Sequence, residues 1–116
     1  MKESPLRGIV EHFSKVTDPR INRTKEHKLI DIIAIAICAV ICGAEDWVDI
    51  ENFGNGKQVW LQTFLELPNG IPSHDTFGRV FSMIDPKEFQ ESFQNWVQSI
   101  YEFTHGQVLV FESRSK

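Results

Sequence analysis

The sequence predicts an all-α fold, a compact bundle of about six helices with one orphan β-strand at its C-terminus. Three observations carry that prediction. Apolar residues recur at three- and four-residue spacing through most of the chain, as in Phe77, Val80, Phe81 and Ile84, the period of a helix with one buried face. Breakers separate these stretches: Pro19, Gly43, Gly54 and the run Pro68-Asn69-Gly70-Ile71-Pro72. Only Val108-Leu109-Val110-Phe111-Glu112 has the composition of a buried strand, and no second strand candidate stands upstream to pair with it.

Ser4 followed by Pro5 opens the first helix, with Leu6, Ile9, Val10 and Phe13 on its apolar face. "TDPR" at 17–20 ends it, because proline disfavours helical geometry in the residue before it. A basic connector, "INRTKEHK", leads into an almost wholly apolar helix over about 28–42 that stops at Gly43. "AEDWVDIENFG" predicts a third, amphipathic helix with Trp47, Ile50 and Phe53 on one side and Gly54 as terminator. "GKQVWLQTFLEL" predicts a fourth, through Val59, Trp60, Phe64 and Leu67. Ser73 caps a fifth, 73–84. Asp85-Pro86-Lys87-Glu88 is the clearest start signal in the chain and opens a sixth, running to about Phe103.

A chain of 116 residues with nine Phe and three Trp can bury one modest core, too little for a large enzyme. Cys38 and Cys42 lie four apart in one helical run, where a disulfide would be strained, so they read as reduced core residues of a cytoplasmic protein. "LIDIIAIAICAVIC" is shorter than the roughly 20 apolar residues a bilayer needs and carries Asp31. It reads as a helix buried on all sides rather than a membrane span.

Net charge is −4, which excludes a surface that is a nucleic-acid footprint throughout. Residues 1–28 nevertheless hold seven Lys/Arg against four Asp/Glu, while 29–112 hold three against twelve. Any contact with phosphate is therefore local, at Arg20, Arg23, Lys25 and Lys28. Arg79 joins them if helix 73–84 acts as the second helix of a helix-turn-helix. A solvated basic face explains the same charge count.

Glu45, Asp46, Asp49 and Glu51 form the densest acidic cluster, and the preference of acids for a helix N-terminus accounts for it without a metal. His74 and Asp75 are adjacent, and neighbours in a helix point apart, so capping is expected of this stretch rather than acid–base chemistry. His27 reads as a local hydrogen-bond partner. No phosphate loop, nucleophile elbow or Cys–His pair is present, and the chain by itself offers no complete active site.

Taken in order, "DPR" at 18–20, "EHKLIDIIAIAICAVICGAEDWVDIENFG" at 26–54 and "GIPSHDTFGRVFSMIDPKEFQESFQNWV" at 70–97 resemble the N-terminal region of the H-repeat-associated proteins. These are bacterial insertion-sequence transposases of the DDE type. The resemblance implies a helical domain over 1–104 that precedes an RNase H-like catalytic domain in the full-length family. Three carboxylates there would bind Mg²⁺ for two-metal phosphoryl transfer. It further implies that 105–116 is the remnant of that domain's first strand, with Glu112 at the position of the family's first catalytic Asp, Ser113 at a Gly and Arg114 at a Lys.

With the other two carboxylates absent, the resemblance implies a truncated protein without catalytic activity and without a cofactor of its own. DNA, full-length transposase or a second copy are the expected partners, with no membrane and no small-molecule substrate. The alternative is a helical protein-interaction module with no DNA role, its exposed aromatics and acidic faces binding a protein partner.

Overall fold

The computed structural model describes residues 5–21 and 26–103. Among them are six helices: α1 (Pro5–Phe13), α2 (Leu29–Ile41), α3 (Trp47–Gly56), α4 (Gln58–Leu61), α5 (His74–Met83) and α6 (Pro86–Phe103). The expected C-terminal strand and Glu112 lie outside the described residues.

α2 is the axis of the molecule. Its Leu29 and Asp31 through Ala39 are all buried, and both α1 and α3 pack on it. α5 packs on α3, and α1 packs on α6. Phe13 at the end of α1 meets three rings of α6, with centroids 5.3 Å from Phe89, 6.5 Å from Phe93 and 6.2 Å from Trp96. No helix among the described residues is long and apolar enough to cross a membrane.

The expected signals set most of the helix ends. Gly43 takes a φ of +105°, donating its N–H to Val40 O at 3.0 Å while Ala44 N–H reaches Ala39 O at 2.9 Å. That pair of bonds closes α2 as a Schellman motif. Asp46 caps α3 by accepting Asp49 N–H at 2.8 Å, and Ser73 caps α5 by accepting Thr76 N–H at 3.2 Å. Asp85 accepts Lys87 N–H at 3.1 Å at the head of α6. Glu88, poised for the same cap, instead holds Thr17 through its N–H at 2.9 Å and its hydroxyl at 3.1 Å, tying the end of the α1 segment to α6.

Four expectations are corrected. Gly54 does not terminate α3, which runs on to Gly56. Gly54 is buried under the loop before α5, where a Cβ would stand 2.7 Å from Ile71 Cγ2. The fourth helix is a single turn, α4, rather than a run to Leu67. Leu67 sits at φ +45° ahead of Pro68, a residue that disfavours helix before it, and its N–H is taken by the buried Asp31 carboxylate at 3.0 Å. The last turn of α2 is not enclosed either: Val40 and Ile41 emerge into solvent. Cys42 emerges with them, so only Cys38 is a core cysteine.

Candidate functional site

The exposed end of α2 forms one wall of an apolar groove of about 610 Å³. Ile37, Val40 and Ile41 line it from α2, Trp47 and Ile50 from α3, Phe81 from α5, and Phe89, Phe93 and Trp96 from α6. Its floor is a run of aromatic contacts. Trp47 stacks on Phe81 with centroids 5.4 Å apart, Phe81 meets Phe89 edge-on at 5.8 Å, and Phe93 meets Trp96 at 5.9 Å. Such offset and edge-on pairs hold rings in defined positions, so the groove is shaped in advance of any occupant. Ile41 remains 65% exposed there, and Val40, Trp47 and Phe93 are also large apolar residues left in water.

The lip of the groove is acidic. Glu45 and Asp46 line it, and no Lys, Arg or His among the described residues does. Their backbone is fixed by capping: Asp49 returns its carboxylate to Glu45 N–H at 3.0 Å while its own N–H goes to Asp46. Asp46 and Asp49 thus have the helix-terminal role expected of the acidic cluster, whereas Glu51 reaches another helix. No group of residues able to hold a metal ion occurs among the described residues.

The expected phosphate contacts are divided. The Arg20 side chain is only 6% exposed and is gripped by Asp18, Nε to Oδ1 and Nη2 to Oδ2, each at 2.9 Å. Lys28 Nζ lies 2.7 Å from Glu66 Oε1, which raises its pKa first through that hydrogen bond. Arg79 is exposed on α5 and meets Arg20 across a separate cleft of about 420 Å³ that also contains Glu26, His27 and Thr76. Arg23 and Lys25 lie outside the described residues. A helix-turn-helix with α5 as its second helix is not formed by a short turn, because twelve residues, 62–73, separate α4 from α5.

His74 has a partner that its sequence neighbourhood did not suggest. Glu51, on α3, accepts from its backbone N–H at 2.8 Å and from ring Nδ1 at 2.7 Å. Asp75 also comes within 3.5 Å of Nε2, correcting the expectation that adjacent side chains would diverge. The groove-lining residues were missed as a site because each reads as core. The available signal was a surplus: α2 is apolar over more turns than its neighbours cover, and α6 carries Phe93 and Val97 outside its buried face.

Comparison with known proteins adds a context. Residues 10–97 match the family model described as DDE_Tnp_1-associated. The chain is 53% identical over 85 residues to an uncharacterized protein of Xanthobacter autotrophicus, covering 72% of this chain and 29% of that one. It is 41% identical over 110 residues to the H repeat-associated protein YhhI of Escherichia coli (strain K12), covering 95% of this chain and 29% of that one. It is also 47% identical over 77 residues to the inactive transposase YbfQ of the same strain, covering 66% of this chain and 92% of that protein. The chain therefore spans less than a third of the first two relatives and corresponds to nearly all of the last. No solved structure matches it.

Proposed function

The chain belongs to the DDE_Tnp_1-associated family, and from that premise we propose that it is a catalytically inactive helical domain that serves transposition by protein contact. The observation that carries this reading is the preformed apolar groove with Val40, Ile41, Trp47 and Phe93 in water. Exposed apolar surface gathered in one concave place and edged by polar residues is the usual character of a protein-docking site. Pairing with a full-length transposase of the same family is the use this surface fits. Metal-dependent strand transfer would belong to the partner, whose catalytic domain would supply the carboxylates for Mg²⁺.

The test is capture of the full-length relative YhhI by this chain in a purified two-component assay. Ile41→Asp, at an exposed position, should abolish capture without unfolding the bundle. Capture that survives Ile41→Asp would refute the groove as the contact.

DNA association is the second reading, favoured by the cleft that brings Arg79 opposite Arg20. Gel-shift titration on insertion-element ends at varied salt tests it, since phosphate-driven binding weakens steeply as salt rises. Arg79→Ala should reduce any shift. Absence of a shift even at low salt would remove DNA from the account.

A further inference from the structure

We propose that the groove receives an amphipathic helix of the transposase partner, one whose apolar stripe is flanked by Lys or Arg. The proposal rests on reading the groove as a protein-docking surface and adds the shape and charge of what docks there.

The shape follows from the backbone. The walls of the groove are helices, α2, α3, α5 and α6, whose interior peptide groups are already bonded to one another. In the short α2–α3 connection, Ala44 N–H is taken by Ala39 O and Glu45 N–H by Asp49. An extended segment laid here would bury its own N–H and C=O groups without partners, which is costly. A helix brings its backbone bonds with it and offers only side chains. A wall of matching form is present on α6. Phe89 and Phe93 lie four residues apart in the groove, and Val97, 45% exposed, carries that line one turn further. The line runs about 12 Å, a little over two helical turns.

The charge follows from the lip. Neither Glu45 nor Asp46 takes part in an ion pair among the described residues. α2 ends beside them with no base in its last turn. Cations next to the partner's apolar stripe are therefore attracted, and acids there are repelled. The same field disfavours the other occupants. Phosphate would meet like charge at the lip. Residues 29–103 hold three Lys/Arg against eleven Asp/Glu, so a second copy would also bring like charge, and one concave surface cannot fill another.

The probes are two peptides of about fifteen residues without Trp, long enough to hold a helix. Both carry Leu at helical three- and four-residue spacing, and they differ only in having Lys or Glu at the flanking positions. With the native chain, the Lys peptide should shift the emission of the groove residues Trp47 and Trp96 to the blue. It should bind about fivefold more tightly than its Glu twin, and Glu45→Lys should reverse that order. Glu91 is exposed two residues before Phe93, on the opposite face of α6. Glu91→Lys makes the same change in net charge and should leave the order as it is. A Lys peptide with a central proline should give no shift, because proline breaks the helix.

Equal affinity for the two peptides would overturn the proposal, as would the absence of any shift. An order that Glu45→Lys fails to reverse, or that Glu91→Lys reverses equally, would overturn it too. Binding of the proline peptide as tight as that of its parent would remove the helix. The capture assay keeps the two readings apart, and there Glu45→Lys should weaken capture of the full-length relative about fivefold. If Ile41→Asp abolishes capture while Glu45→Lys leaves it intact, the groove docks protein and only the cationic helix is wrong. If Ile41→Asp changes nothing, both fail.

Discussion

One carboxylate oxygen of Glu51, midway along α3, receives both the backbone N–H and the ring Nδ1 of His74 at the head of α5. Through that oxygen the N-terminus of α5 is fastened to α3, and α5 in turn carries Phe81 into the groove wall.

The fastening depends on pH in a definite window. Hydrogen bonding to Glu51 raises the His74 pKa, and hydrogen bonding to His74 lowers that of Glu51. The histidine contribution is complete below its unfolded value of about 6.5 and is lost as pH rises through the raised folded value. The glutamate contribution is complete above about 4.3 and is lost as pH falls through the lowered value. The difference in thermal midpoint between the native chain and His74→Gln should therefore be largest between roughly pH 4.3 and 6.5. A midpoint difference that stays flat from pH 4 to 9 would refute this.

Asp31 should respond in the opposite sense. Burial raises its pKa against the hydrogen bond from Leu67 N–H, so the folded state holds the proton more tightly than the unfolded one. Stability from this group declines as pH rises from about 3.9 through the raised folded value. Asp31→Asn keeps an acceptor and sheds the charge, so it should gain on the native chain across that interval. Asp31→Ala strands the Leu67 N–H and should cost about 1–3 kcal/mol in urea unfolding. Equal effects of the two substitutions would show that the bond to Leu67 contributes nothing.

Two glycines in helices should answer alanine differently. Replacing a helical glycine by alanine gains up to about 1 kcal/mol of propensity. At Gly54 the new methyl would lie 2.7 Å from Ile71 Cγ2, and overpacking of that kind costs about 1–3 kcal/mol. Gly54→Ala should thus destabilise, and Ile71→Ala in the same chain should restore part of the loss. At Gly78 the nearest atom is Cδ1 of the partly exposed Trp47 at 3.3 Å, which can give way. Gly78→Ala should be close to neutral by thermal melting, and a loss there as large as at Gly54 would contradict the contrast.

Phe13→Ala removes a buried ring held by Phe89, Phe93 and Trp96 and should cost about 3–5 kcal/mol. Val59, 81% exposed on α4, should tolerate alanine within about 0.5 kcal/mol. Similar denaturation midpoints for the two variants would contradict the assignment of the core.

The helices marked by local chemistry were legible in the sequence. Ser73, Asp46, Asp85-Pro86 and Gly43 act on residues within a few positions of themselves, so their meaning travels with the sequence. What escaped was set by contacts between distant segments. Gly54 carries the signature of a terminator, but its role is fixed by Ile71 pressing on it from another element. The Val59–Leu67 stretch has helical periodicity, yet the Asp31 carboxylate and Pro68 draw it into a turn. The sequence sets His74 beside Asp75, while its shorter bonds go to Glu51, 23 residues away. The groove was hidden for the same reason: Ile41 and Phe93 look like core residues until the helices are placed and leave them exposed.

The packing of α1 on α6 also fixes an order of events during synthesis. Phe13 leaves the ribosome early, but the rings that enclose it, Phe89, Phe93 and Trp96, are among the last of the domain to be made. The nascent chain must therefore carry its first helix, with an apolar face open to chaperones, until translation has passed Trp96. The domain then closes when α1 docks on α6.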